Sequence, residues 1–258
     1  MDFTLAPRAA AAGYRVFSYD SIGSTNDEAL ARSRQGERGP LWIAARAQSA
    51  GRGRRGARWL SPQGNLAVSL LTFFAGPLMQ AATLGFVAGL ALDAALSAWA
   101  PALRSRLALK WPNDVLVDGK KLAGILLESE RIESGHAVVV GIGVNIRSAP
   151  DGLSAVSLAA LGVDIHREQV FTELSGAWLD YVRIWNDGRG LPTIRSRWLA
   201  RAASVGAEIT VRLGEKVLRG TFETLDEQGR LILRVPDRGA LVIAAGEVYF
   251  DRFEAEAR

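Results

Sequence analysis

Along the chain the spacing of apolar residues switches repeatedly between a period of two and a period near 3.6. Residues 14–20 (Y-R-V-F-S-Y-D) alternate large apolar with polar side chains, the pattern of a half-buried strand. S-I-G-S-T-N-D-E at 21–28 reads as a turn into a helix. Ser24 and Thr25 each have an acid three residues on, so either can form a capping box, and Gly36 ends the helix. Residues 41–46 form a second strand, and 65–74 a buried one stopped by Gly76-Pro77. Residues 79–99 are apolar on nearly every helical face, which predicts one core helix. Short strands follow at 107–111 and 114–117, broken at Pro112, and Asp118-Gly119 makes a tight hairpin turn into 122–128. A further strand covers 137–146, and 151–162 is a loop with a short helical turn.

Residues 168–185 place Phe171, Leu174, Trp178, Tyr181 and Trp185 along one helical face, and another helix runs from Pro192 to about Ala203. From Glu208 onward, short alternating strands are separated by Gly- and Asp-containing turns, which predicts a small β-barrel. The hairpins make the main sheet largely antiparallel, so the fold class is α+β, a mixed sheet packed with helices plus the C-terminal barrel. The expected division is 1–205 and 206–258.

Hydrophobic residues make up 48% and charged ones 22%, ordinary values for a globular chain. With no cysteine, disulfides, thiol catalysis and thiolate metal sites are excluded. His136 and His166 are far apart in sequence, so no metal-ligand motif is expected on the protein. No apolar run reaches the ~18 residues of a membrane span without a polar interruption. The start M-D-F-T-L-A-P-R lacks the form of a secretory signal, and a cytoplasmic enzyme with no membrane partner is expected.

The net charge of +4 changes the picture because it is uneven. Residues 46–58 (R-A-Q-S-A-G-R-G-R-R-G-A-R) hold five arginines, three glycines and no acid. Glycines let backbone approach a ligand, and arginines supply fixed charge with forked donors for phosphate and carboxylate oxygens. Such a loop suits a lid over a small anion; the plainer reading is a solvated basic loop. It does not match a P-loop, and Ile146 stands where a dinucleotide fingerprint after Gly141-Ile142-Gly143 needs glycine. Ser24-Thr25-Asn26 can be merely a helix cap, Asn113-Asp114 a turn after Pro112, Lys121 a solvated hairpin lysine, and Gly141 and Gly143 relief from crowding.

Taken together these pieces resemble one family, the biotin–protein ligases. They are S-T-N at Ser24, Q-S-A-G-R-G-R-R-G at Gln48, K-W-P-N-D at Lys110, G-K-K-L-A-G-I-L at Gly119 and G-I-G-V-N at Gly141. The basic loop followed by W-x-S-P-x-G (Trp59, Ser61, Pro62, Gly64) is the most specific of them. The resemblance covers essentially the whole chain. It implies a class II synthetase-like (biotin–lipoate ligase) catalytic domain with an SH3-like C-terminal barrel. It also implies two steps: biotin's carboxylate attacks the α-phosphate of ATP to give biotinyl-5′-AMP, and a lysine of biotin carboxyl carrier protein then takes the biotinyl group.

By the same resemblance Ser24, Thr25, Asn26 and Gln48 line a biotin pocket, and Gly51, Arg52, Gly53, Arg54 and Arg55 close over the adenylate. Lys121 contacts the biotin carboxyl and phosphate, with Lys110, Trp111, Asn113, Gly124 and Asn145 as further lining. Asp114 either orients Lys121 and helps deprotonate the incoming lysine, or stabilises a turn. Arg54, Lys121 and Asp114 are the expected catalytic residues, and Mg2+ accompanies ATP. Ala57 stands where many relatives carry a basic residue. Relatives that act as repressors have a helix-turn-helix ahead of the catalytic domain; with about a dozen residues before the first strand, no DNA binding is expected. A homodimer is compatible with family analogy. The rivals are a lipoate or octanoate ligase of the same fold, and a basic nucleic-acid-binding module.

Overall fold

The alternating segment near the N-terminus becomes an edge strand of a large sheet. In the computed structural model, which describes residues 2–151, 153–244 and 246–249, a short helix α1 (Pro7–Ala11) precedes β1 (Arg15–Tyr19). Helix α2 (Thr25–Arg34) crosses from β1 to β2 (Leu41–Ala45), and the two strands pair in parallel, as such a crossover permits. The Ser24 side chain caps α2 by accepting from the Asp27 amide. After the arginine-rich loop come β3 (Leu66–Phe74), α3 (Leu78–Ala81) and α4 (Leu84–Trp99), then β4 (Leu107–Lys110), β5 (Asp114–Val117), β6 (Lys120–Ile132) and β7 (Gly135–Val144). The sheet order is β1-β2-β3-β7-β6-β5-β4, antiparallel except for β1–β2.

The single helix expected over 79–99 is two helices. Thr83 breaks it: its hydroxyl donates to the Gln80 carbonyl at 2.6 Å and accepts from the Trp185 indole at 2.7 Å. Leu78–Trp99 is apolar enough to cross a membrane by length alone, but it is mostly buried as the core of the helical layer. Helices α5 (Arg167–Trp185) and α6 (Leu191–Leu199) pack with α4 on one face of the sheet. Strand residues with one parity (Trp42, Ala44, Val68, Leu70, Val138, Val140, Ile142) face that layer. The opposite parity (Leu41, Ile43, Leu71, Ala137, Val139) forms a second apolar cluster with Ala29 of α2. The sheet is thus covered on both faces, which explains why β2 and β7 read as nearly unbroken apolar runs.

Helix α6 stops short of Ala203. Residues 201–203 instead lie along β4, with the Leu109 amide donating to Arg201 O at 2.7 Å and Ala203 N donating to Leu109 O at 2.8 Å. Arg201 makes a bidentate pair with Asp93 of α4 at 2.7 and 3.0 Å, which fixes that return.

A second sheet follows: β8 (Glu208–Leu213), β9 (Lys216–Leu225), β10 (Leu231–Val235), β11 (Gly239–Ile243) and β12 (Glu247–Tyr249), all antiparallel in the order β11-β10-β9-β8-β12. Of the unit expected over 206–258, Ala245 and residues 250–258 lie outside the described residues, as does Gly152 of the expected loop. The two sheets touch through apolar and polar contacts. The Trp111 indole donates to Gly229 O at 3.1 Å, and Gly229 lies so close to Phe86 that a side chain there would collide with the ring.

Candidate active site

The period of two that buries the sheet also builds the site. Cross-strand partners run Ala67 (β3), Gly143 (β7), Gly124 (β6), Asp114 (β5) and Lys110 (β4) in one row, with Ser69, Gly141 and Leu126 in the next. These positions share the parity of the α2 face. Small side chains in the middle strands leave the sheet bare there, and a cavity of about 370 Å³ opens above them. The N-terminal end of α2, the loop at 48–60, Pro150, residues 153–155, and Gly246, Val248 and Tyr249 of the second sheet supply its walls. That size and mix of apolar floor and convergent polar groups suits a small-molecule site.

One end is a buried chain of polar side chains. Asn26 donates its Nδ2 to Glu128 Oε2 at 2.7 Å and accepts from the Ser69 hydroxyl at 2.5 Å. Ser69 Oγ lies 2.7 Å from Thr25 Oγ1, which lies 3.0 Å from Gln48 Oε1. Gln48 Oε1 also accepts from the Thr25 amide at 2.8 Å, and its Nε2 donates to Ser61 Oγ at 2.9 Å. Those last two bonds fix the Gln48 amide, because a backbone N–H can only donate. Three contacts now depend on hydroxyl protons: Ser69 to Asn26, Thr25 to Gln48, and Ser69 to Thr25. Serine and threonine have one proton each, so the network has one more acceptor site than it can fill. A ligand presenting N–H groups would complete it.

The other end is cationic. Lys121 Nζ lies 2.7 Å from Asp114 Oδ1 and 5.5 Å from the centre of the Trp59 ring. The strand beneath is held by Lys121 N donating to Ser154 O and Val156 N donating to Lys121 O. Lys110, across the hairpin from Asp114, points its ammonium toward Tyr249 of β12. Arg54 donates to Gly246 O at 3.1 Å and to Asn113 Oδ1 at 3.4 Å, linking the loop to the second sheet.

The arginine-rich loop is a small hairpin flap, not open coil. Gly53 N donates to Ala57 O and Trp59 N to Gly51 O, closing a turn at Arg54–Gly56 in which Arg55 (φ 55°) and Gly56 (φ 76°) are left-handed. Arg52 ties the flap down: its guanidinium is bidentate to Asp27 at 2.6 and 2.7 Å and reaches Glu128 at 3.1 and 3.2 Å. The bonds to Asp27, and then the charge of Glu128, hold Arg52 more firmly protonated than a free arginine. Trp59 closes the other leg, its indole lying over Gly143 and Gly124.

The structure brings Ser24, Thr25, Asn26, Gln48, Arg52, Gly53, Arg54, Lys110, Trp111, Asn113, Asp114, Lys121, Gly124 and Asn145 to this one cavity. Two expected lining residues do not line it. Arg55 sits at the exposed apex of the flap, where a three-residue turn turns it outward. Gly51 is buried behind the flap with its carbonyl holding Trp59, and a Cβ there would meet the Trp59 backbone. Trp111 is mostly a core residue bonded to Gly229. Sequence reasoning did not select Trp59, Ser69 or Glu128 as site residues. Trp59 had a signal in the W-x-S-P-x-G motif; Ser69 and Glu128 had only a polar residue within an apolar strand.

Two family models match the chain: the biotin/lipoate A/B protein ligase family over residues 19–145, and the biotin protein ligase C-terminal domain over residues 205–251. A biotin–[acetyl-CoA-carboxylase] ligase of Paracoccus denitrificans is 45% identical across 88% of this chain and 97% of its own length. Its namesake in Mycobacterium tuberculosis is 33% identical across 88% of this chain and 85% of its own. A solved biotin protein ligase of Aquifex aeolicus, in complex with biotin and ATP, superposes with a TM-score of 0.74 at 25% identity, covering 91% of this chain and 97% of that one.

Proposed function

The chain belongs to the biotin–[acetyl-CoA-carboxylase] ligases of the biotin/lipoate A/B protein ligase family, and we propose from that premise how its cavity carries out ATP-dependent biotin ligation. One observation carries the reading. A single cavity joins an end with surplus hydrogen-bond acceptors to an end where Lys121, Lys110 and Arg54 converge. Biotin's ureido ring offers N–H donors to Thr25, Asn26 and Gln48, while its carboxylate points toward Lys121. A lipoyl ring has no N–H to give, so the acceptor surplus favours biotin over the lipoate reading.

In the first step a carboxylate oxygen attacks the α-phosphorus of ATP and pyrophosphate leaves. Two anions must meet, so fixed cations at the reacting centre lower the barrier. Lys121 and Arg54 are placed to do this, and Lys110, whose ammonium faces Tyr249 of the second sheet, adds a third cation to the same cavity. Magnesium accompanies the polyphosphate. Nearby carboxylates are already engaged, Asp27 and Glu128 by Arg52 and Asp114 by Lys121, and the described residues contain no group of three metal-ligating side chains. In the second step the amine of a carrier-protein lysine attacks the acyl carbon, AMP departs and the amine loses a proton. Asp114, held beside the reacting centre by Lys121, is our candidate to receive it. The flap and Trp59 keep water from the mixed anhydride.

We assign residues 1–205 to the catalytic unit and 206–258 to the C-terminal domain. The acceptor is a biotin carboxyl carrier protein, and the setting is the cytoplasm, where ATP is available. The test is ATP–pyrophosphate exchange that requires biotin, followed by mass measurement of a carrier domain carrying one added biotinyl group on one lysine. Exchange with lipoate and none with biotin would overturn the reading.

Arg54 provides a sharper check on the flap. Arg54→Gly removes the bonds to Asn113 and Gly246 that tie the flap across the cavity. The adenylate is then expected to escape and label bystander lysines, read as biotin on added albumin. Wild-type adenylate retention and acceptor selectivity would show that Arg54 is not a clamp.

A further inference from the structure

Glu128 belongs to none of the motifs that mark the site, yet it joins two parts of it. It stands on the cavity face of β6, opposite Val139, with 29% of its side chain exposed. Oε2 accepts from Asn26 Nδ2 at 2.7 Å, and both oxygens accept from Arg52 Nη2 at 3.1 and 3.2 Å. A carboxylate only accepts. Asn26 must therefore turn its NH2 toward Glu128 and its carbonyl oxygen toward Ser69; the reversed amide would set oxygen against oxygen. Room for that choice is tight, because a side-chain carbon at Gly141 would collide with the Asn26 amide.

We infer that Glu128 is a positioning residue for ligand selection: its carboxylate fixes Asn26 as an acceptor toward the cavity and ties that orientation to the flap through Arg52. The inference rests on the ring-end reading above, in which acceptors receive ligand N–H groups. Glutamine at 128 would remove the stronger constraint, since its amide NH2 can face the Asn26 oxygen, and leave only the long bond from Asn26 Nδ2 to Leu126 O at 3.5 Å. Asn26 could then present its own NH2 to the cavity, repelling a ligand N–H. Arg52 would keep its bidentate pair with Asp27, so the flap stays tethered and the amide orientation is the main thing changed.

The experiment is steady-state pyrophosphate exchange with Glu128→Gln, alone and in an Asn26→Ala background. KM for biotin is expected to rise about tenfold or more, the usual consequence of misplacing a buried hydrogen bond to a charged partner, while kcat at saturating biotin stays within about twofold. In the Asn26→Ala background the same change is expected to add less than about twofold, because no amide remains to be oriented. Glu128→Asp, which keeps the charge but shortens the reach, falls between and serves if the glutamine variant does not fold. A biotin KM within twofold of wild type, or a full tenfold penalty without Asn26, overturns the inference while leaving the ligase reading intact. Absence of biotin-dependent exchange in the unmutated protein is a different result and removes both.

Discussion

Lys121→Ala is expected to lower single-turnover formation of biotinyl-5′-AMP by about 10²–10³-fold, the usual loss when one preorganised charge at a reacting centre is removed. The structure adds a second reason for so large an effect. Asp114, with only 16% of its side chain exposed, has Lys121 as its ion-pair partner at 2.7 Å. Removing the ammonium leaves a half-buried carboxylate where two further anions must meet, so the variant loses attraction and gains repulsion. Folding should survive, because the strand at 121 is held by backbone bonds to 154–156 that the side chain does not make. The measurement is rapid-quench detection of the adenylate at saturating biotin and ATP, with thermal unfolding alongside. Unchanged adenylate formation would take Lys121 out of the chemistry.

Gly143→Ala comes next in size, and its effect is steric. The new methyl group would lie within the Trp59 indole, which rests directly on Gly143. The backbone at 143 is not left-handed, so the strand itself tolerates alanine. The indole must move, and with it the leg of the flap that Trp59 closes and the ring beneath Lys121. Overpacking of this kind costs about 1–3 kcal/mol, equivalent to roughly 5- to 150-fold in affinity if it falls on the closed site. We expect biotin binding by calorimetry to weaken within that range while the unfolding temperature shifts by no more than a few degrees. Wild-type affinity would mean that the Trp59 seat does not matter to the ligand. The double mutant with Trp59→Ala should recover part of the loss, since no ring remains to be displaced.

These two residues were unequally visible beforehand. Lys121 lies in a run, G-K-K-L-A-G-I-L, specific enough to be singled out without coordinates. Gly143 was noticed within G-I-G-V-N, with relief from crowding against a neighbouring helix as its plain explanation. Crowding is what the glycine relieves, but the neighbour is no helix: it is the Trp59 ring on the flap, 84 positions earlier in the chain. The helix division at Thr83 was hidden for a similar reason. Its cause is an indole on α5, and a threonine within an apolar run carries no sign of that partner.

By itself the sequence determined the class of fold, most of the order of its strands and helices, and, through the motifs that carry the resemblance, most of the residues that gather at one cavity. It could do so because periodicity is a local property and because the motif residues stand in contiguous runs. Only the tertiary structure decided how those runs face each other. Sheet register aligns Ala67, Gly143, Gly124, Asp114 and Lys110 across five strands, so small residues scattered over nearly eighty positions become one floor. A three-residue turn sends Arg55 outward while its neighbour Arg54 reaches the second sheet. Glu128 becomes a partner of both Asn26, 102 positions away, and Arg52, 76 positions away. Hydrogen bonds of fixed length between distant segments are set by packing, and no pattern along the chain records them.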